Sequence, residues 1–253
     1  NEFVWVPVSD PSEMFGTDSN GNSLGKIYDF GMSSSPKNPP EALNWTENRG
    51  EMSWSSETYR EPYILTDYDG SDATDDSSYF TSAIGNMTGA QFKAQLQQEF
   101  EDMRDSVETY GGFYIGRYET GNLSKTKAVV QKNNTDIGSQ NWYVQYQKCK
   151  TIAEGTGGTS SMIWGCQWDA TMNWFLESSD PEVVEYVTDS ADKGNYYGIN
   201  ESQPIATGSN NDYSVNNIYD MAGNVWDWIL EANNTSNRVV RGGFYRNSGS
   251  GYP

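Results

Sequence analysis

Asp220 and Asp227 flank a glycine-containing bend inside Asn217-Ile-Tyr-Asp-Met-Ala-Gly-Asn-Val-Trp-Asp-Trp228. Gly223 can take backbone angles that side-chain-bearing residues avoid. Such a bend turns the carbonyls of Gly223 and Val225 toward the point where two carboxylates meet. Ligands that are all oxygen suit a hard cation such as Ca²⁺. No standard calcium-loop pattern accompanies these residues, and an ordinary turn with one exposed Asp and a Trp in the core is the competing reading. Trp226 and Trp228 stand two apart and share a face if the segment is extended. A second acidic cluster, Asp67-Tyr-Asp-Gly-Ser-Asp72 with Asp75-Asp76, lacks the closing Glu of a calcium loop and also reads as a solvated loop. Gly155-Thr-Gly-Gly158 is glycine-rich, but no Lys-Ser/Thr follows and no strand precedes, which argues against phosphate binding.

The chain has no histidine. That removes Ser-His-Asp and Cys-His machinery, histidine general bases and His-ligated zinc, copper or iron. Cys149 and Cys166 are the two cysteines, too few for a disulfide framework. They read as buried free thiols or as one bridge closing a modest loop. The free thiols are favoured, because each cysteine sits in a helix-like or packed segment.

The elements that must hold these residues follow from pattern. The 253 residues suffice for a real core, with 35% apolar and 14% aromatic residues, nine Trp and seventeen Tyr among them. Such a core buries large rings rather than many aliphatics. The net charge of −19 disfavours nucleic acid and anionic membrane surfaces and favours cations. No stretch approaches the roughly 20 apolar residues of a membrane span. The chain starts at Asn1 without a signal-peptide pattern, which reads as a mature or trimmed segment.

Residues 1–8 alternate as a strand, with Phe3, Trp5 and Pro7 on one side and Val4, Val6 and Val8 on the other. Residues 9–87 read as a loop-rich insertion broken by Pro36, Pro39 and Pro40. Thr88 with Gln91 makes a capping box, and Gly111-Gly112 a stop. Between them Phe92, Leu96, Phe100, Met103, Val107 and Tyr110 form one apolar stripe of a core-packing helix. A strand over Phe113–Glu119 and a polar connection over 121–136 follow. Helices are expected over 142–153 and 166–176. Asp180-Pro181 marks a turn, 183–187 is too short to classify, and 189–217 is loop-like.

Tyr219–Trp228 followed by Arg238-Val-Val-Arg-Gly-Gly243 resembles the signature of the formylglycine-generating-enzyme (sulfatase-modifying-factor) superfamily. Phe3–Val8, Gly112–Glu119 and Gln167–Trp174 resemble further segments of it, so the resemblance runs through the whole chain. It implies an α+β chain of C-type-lectin-like fold, with short strands, few helices and much irregular loop. It implies one domain over 1–253, with an insertion at about 9–87 and a C-terminus truncated before the family's usual closing strand. It also implies two structural Ca²⁺ sites. One would use Asp220 and Asp227 side chains with Gly223 and Val225 carbonyls. The other would use Asn195 and the carbonyl of Tyr196, with further ligands near Gly208–Tyr213.

The departures from the family pattern shape the functional expectation. Formylglycine-generating enzymes carry two reactive cysteines after Arg-Gly-Gly, and here none follows Gly243. Related iron-dependent sulfur-transfer enzymes use histidines, absent here. A soft-metal redox site lacks its ligands. With Ile163-Trp-Gly-Cys-Gln-Trp-Asp-Ala-Thr171, Gly208-Ser-Asn210 and Arg241-Gly-Gly-Phe-Tyr245, the chain resembles instead the non-catalytic, ligand-binding members of the fold. Among these are the variable proteins of diversity-generating retroelements, found on phage tail tips and bacterial surfaces. In them the segment after Arg-Gly-Gly is the binding face, which here is Phe244, Tyr245, Arg246, Asn247, Ser248, Ser250 and Tyr252. Tyr supplies contact area at low entropy cost, while Ser, Gly and Asn adapt their hydrogen bonds. A plain polar loop near a chain end is the competing reading. The expectation is an extracellular module binding a protein or carbohydrate ligand, with no nucleic acid and no membrane insertion. An oxidase with a shifted site, using Cys149 and Cys166, and a structural piece of a larger oligomeric assembly are the alternatives.

Overall fold

A computed structural model describes residues 1–17, 23–32, 35–42, 89–138, 140–178, 180–198, 203–232 and 238–249. It is a mixed α+β structure. Among the described residues, four α-helices are set among short antiparallel strand pairs.

The alternation at the N-terminus forms β1 (Phe3–Pro7), with Val6 fully buried and Phe3, Trp5 and Pro7 outward. It pairs antiparallel with β6 (Gly112–Gly116), placing Trp5 opposite Tyr114. β6 stops at Gly116, short of the expected Glu119. Arg117 and Tyr219 exchange a backbone hydrogen bond beyond it, so Glu119 enters the interior off the ladder.

The stretch 9–87 corrects the expectation that Pro36, Pro39 and Pro40 break any regular element. Its described part contains β2 (Phe15–Thr17) paired with β3 (Ser23–Gly25), and β4 (Tyr28–Met32) paired with β5 (Ser35–Ala42). Pro36, Pro39 and Pro40 all lie in β5. A strand paired on one side can carry prolines where no ladder donor is required. The acidic cluster at 67–76 and the Thr88 cap lie outside the described residues.

The long helix α1 (Gly89–Tyr110) buries Phe92, Leu96, Phe100 and Val107 of the expected stripe and packs Met103 against the core, but Tyr110, expected on the same stripe, is 73% exposed where the helix runs out at Gly111. Gly111, at φ +74°, donates its N–H to the Val107 carbonyl and ends the helix. Helix α2 (Trp142–Lys150) is shorter than expected, because from Thr151 the chain passes into successive turns. The Asn141 side chain caps its start by accepting from Val144 N–H. Trp142 and Tyr146 stack at 5.3 Å with rings 4° apart, and Phe92 of α1 meets both edge-on. This ring cluster joins the two helices; each ring contributes about 3–5 kcal/mol on the scale of Phe or Trp truncations.

Helix α3 (Gly165–Leu176) buries Trp168, Met172 and Phe175 as expected. Residues 183–187 belong to α4 (Pro181–Thr188), whose N-cap is Asp180, accepting from Glu182 N–H at 3.0 Å. Proline at N1 and an Asp cap outweigh the brevity of the segment. Cys149 and Cys166 are both buried free thiols.

Short pairs complete the fold: β7 (Thr120–Gly121) with β8 (Val129–Val130), and β9 (Ser214–Val215) with β10 (Ile218–Tyr219). The last pair is β11 (Asp227–Ala232) with β12 (Arg238–Arg241), which sets Asp227 opposite Arg241. Arg241 pairs at 2.9 Å with the buried Glu231 carboxylate and lies 4.0 Å from the buried Asp169 of α3. Asp169 in turn accepts Tyr28 N–H of β4 at 2.8 Å. Helix α3, β4 and the final hairpin are thereby fixed to one another, and the hairpin delivers the bend at 220–227. No described helix is long and apolar enough to cross a membrane.

Candidate functional site

The bend between β10 and β11 holds three residues in the left-handed region: Asp220 at φ +60°, Gly223 at +78° and Asn224 at +60°. Gly223 is required twice over. Its φ disfavours a side chain, and a Cβ there would come within 2.7 Å of the Asn195 carbonyl oxygen. That close approach forms a parallel bridge between Asn195 and Gly223, with Asn224 N–H donating to Asn195 O at 3.0 Å. The two segments named separately by the resemblance therefore lie side by side.

Asp220 is 1% exposed and Asn195 fully buried. Asp220 Oδ2 accepts from Gly208 N–H at 2.7 Å and from the Thr207 hydroxyl at 2.8 Å. Asp220 Oδ1 is buried without a hydrogen-bond partner, and so is Asn195 Oδ1. Asn195 Nδ2 donates to the Gln203 carbonyl and to Asn224 Oδ1, which leaves its oxygen as the spare acceptor. A buried oxygen without a donor is costly unless something electropositive reaches it.

A third carboxylate completes the electrostatics. Glu119 Oε2 accepts from Asn224 Nδ2 at 2.6 Å, and Glu119 Oε1 accepts from Val225 N–H at 3.3 Å. Burial, then the charges of Asp220 and Asp227, push the Glu119 carboxyl well above the usual range. Burial and then Asp220 push the Asp227 carboxyl up to about 8. Burial raises Asp220 as well, opposed by its bonds to Gly208 and Thr207. The charges of Asp220 and Asp227 thus act on Glu119, and that of Asp220 on Asp227, a repulsion that a cation would relieve.

The donor set matches a hard cation: carboxylates, an amide oxygen and main-chain carbonyls, with no soft ligand. Asp220, Gly223, Val225 and Asp227 lie on one bend, and Asn195 and Tyr196 lie beside it across the bridge. Among the described residues no group of three His, Cys, Asp or Glu side chains is arranged as a metal centre. A site built from these residues would rest largely on amide and main-chain oxygens. Tyr196 is fully buried, and its hydroxyl donates to Gly242 O at 2.9 Å and pairs with Ser190 Oγ at 2.8 Å.

The segment after Arg241 is tied directly to this bend. Gly223 N–H donates to Gly242 O at 2.7 Å, and Tyr245 N–H to Asn224 O at 3.1 Å. Tyr197 N–H donates to Asn247 O at 3.1 Å. Gly242 passes at φ +80° so close to Met221 O that a Cβ would sit 2.8 Å from it. Phe244 to Asn247 close a turn, with Asn247 N–H donating to Phe244 O at 2.8 Å and Phe244 N–H to Asn247 Oδ1 at 2.9 Å.

Of the residues expected to contact a ligand, Arg246 and Ser248 are exposed and Phe244 and Tyr245 half-buried. Asn247 is half-buried, and its side chain and carbonyl lock the turn and its neighbour Tyr197. Ser250 and Tyr252 lie outside the described residues. Trp226 does not share a face with Trp228, because β11 begins only at Asp227. Trp226 is 48% exposed and stands 4.1 Å from the Phe244 ring, and Phe244 meets Tyr245 at 5.3 Å. Sequence reasoning omitted Trp226 and the 67% exposed Tyr197 from this face. It also omitted Glu119 from the pocket, although an acid closing a strand of rings was the signal. The chain matches no family profile, no curated protein and no solved structure.

Proposed function

We propose that the chain is a calcium-stabilised extracellular binding module. Its core would be a C-type-lectin-like fold of the formylglycine-generating-enzyme type. It would be a relative of the variable proteins carried on phage tail tips or bacterial surfaces. The observation that carries the reading is the direct hydrogen bonding of the acidic bend to the segment after Arg241. A cation held by Asp220, Asp227, Asn195 and neighbouring carbonyls would rigidify that bend. The bend would then hold Trp226, Phe244, Tyr245 and Arg246 in one orientation toward solvent. Binding faces gain affinity from such preorganisation. The motif Tyr219–Trp228 with Arg-Gly-Gly supports the family reading. The oxidase alternative needs thiolates, whereas burial pushes the Cys149 thiol up to about 12.

The test is binding of the purified chain to printed glycan and surface-protein arrays, with calcium and with chelator. The expected result is calcium-dependent binding that is lost in a Trp226→Ala/Tyr245→Ala variant of unchanged melting temperature. Array binding indifferent to both substitutions would overturn the assignment of this face.

A further inference from the structure

We infer that the face built on Trp226, Phe244, Tyr245 and Arg246 takes a carboxylate-bearing carbohydrate. The inference rests on the binding-module reading and adds the chemical class of the ligand. Three observations lead to it.

The first is charge. The chain carries −19 overall, yet Arg246 is exposed and forms no ion pair among the described residues. Its guanidinium lies over the Tyr245 ring, 5.3 Å from the centroid. Stacking on a ring orients the guanidinium plane while leaving its in-plane N–H donors for an acceptor. The acceptor that fits two parallel N–H donors is a carboxylate or phosphate. On a strongly acidic molecule such a group is drawn to the Arg246 cation and repelled by the acidic surface elsewhere.

The second is the neighbouring apolar surface. Trp226 turns half of its surface to solvent, backed by Phe244 at a 39° tilt. A large indole held from behind is a platform for the flat C–H face of a sugar ring, which buries apolar surface without needing a groove. Its position is set by the bend on one side and the Phe244–Asn247 turn on the other, so little ordering is left to binding.

The third is size. Platform and cation are adjacent in one short turn and its flank. A pair of this kind suits one or two sugar rings, whereas a stable protein interface engages roughly 20–30 residues a side. One stacking surface plus one fixed cation matches one pyranose bearing one carboxylate.

The test pairs acidic sugars with uncharged counterparts: sialyllactose against lactose, and oligogalacturonate against its methyl ester. Binding to the calcium-loaded chain is read by saturation-transfer NMR and by tryptophan fluorescence, with Trp226→Phe as the fluorescence control. The expected result is that the acidic member of at least one pair binds about tenfold or more tighter than its partner, the size of a charged hydrogen-bonded contact. Arg246→Gln should erase that preference, and Arg246→Lys should keep part of it. Equal binding within both pairs, binding by neither pair, or equal competition by an oligoglutamate peptide would overturn the inference. The arrays separate the two readings. A bound surface protein that depends on Trp226 and Arg246, with no acidic-sugar binding, removes this inference and leaves the binding-module reading. Array binding that ignores both residues removes both.

Discussion

Asp220→Asn separates an ion-holding carboxylate from an ordinary hydrogen-bond acceptor. In the structure Asp220 Oδ2 accepts from Gly208 N–H and the Thr207 hydroxyl, and Oδ1 is buried with no donor. Asparagine has the same shape. Its amide oxygen keeps both bonds, and its NH₂ replaces Oδ1 and points donors where a cation would sit. The packing is unchanged, and one charge that acts on Glu119 and Asp227 is removed. In chelator the variant should therefore melt at or slightly above the parent temperature. In calcium the parent gains stability by mass action, about 2.7 kcal/mol at a hundredfold excess over the dissociation constant. For a chain near this size each kcal/mol moves the midpoint by roughly 2–4 °C, so the parent should rise by about 5–10 °C. Asp220→Asn should lose that rise. The assay is thermal unfolding by circular dichroism, parent and variant, each with calcium and with chelator. A variant that keeps the calcium rise refutes Asp220 as a ligand. A variant equally destabilised in both conditions shows that the carboxylate is only a structural acceptor.

Two further outcomes follow from the buried groups. Asp227 titrates near 8 when folded against 3.8 as a free group, and Glu119 and Asp220 are raised too. Between those limits the folded state binds more protons than the unfolded one, so stability falls as pH rises. Chelated protein should melt higher at about pH 5 than at about pH 8, with the difference reduced in Asp227→Asn and reversed by calcium; a flat profile would contradict the crowded-carboxylate account. Burial holds the Cys149 thiol near 12 against 9.0 as a free group, so native protein at about pH 8 should resist a disulfide reagent at this position until denaturant is added. Rapid labelling of Cys149 in a Cys166→Ser background, under native conditions, would show that the thiol is accessible.

Legibility in the sequence tracked whether the determining physics was local. The α1 stripe from Phe92 to Val107, the glycine stop at 111 and the buried side of β1 each follow from spacing or backbone freedom within a few residues, and each is present, while Tyr110 at the helix end is exposed. The α4 segment failed as a pattern because its evidence lay in the cap, Asp180 before Pro181, and the apolar run was too short to show a period. The strands at 28–42 failed for the opposite reason. Proline argued against regular structure, while pairing of β4 and β5, which spacing does not reveal, decided the outcome.

The candidate site divides along the same line. Asp220, Gly223 and Asp227 were visible because one bend contains them. Glu119 was not, since its role arises only when residue 119 meets Asn224 and Val225 across the fold. Trp226 shows how local reasoning can place a residue on the wrong face. Spacing of two puts it on the side of Trp228 only if the strand already exists, and the three left-handed residues of the bend delay the strand until Asp227. The backbone that gathers oxygens inward at Asp220 and Asn224 is thus the same backbone that leaves an indole outside against Phe244. The proposed ion site and the proposed binding face would be two consequences of one bend. A substitution that straightens it, Gly223→Ala against the Asn195 backbone, should therefore remove the calcium response and the Trp226-dependent binding together. Loss of one without the other, read by thermal unfolding and array binding on the same preparation, would separate the two halves of the proposal.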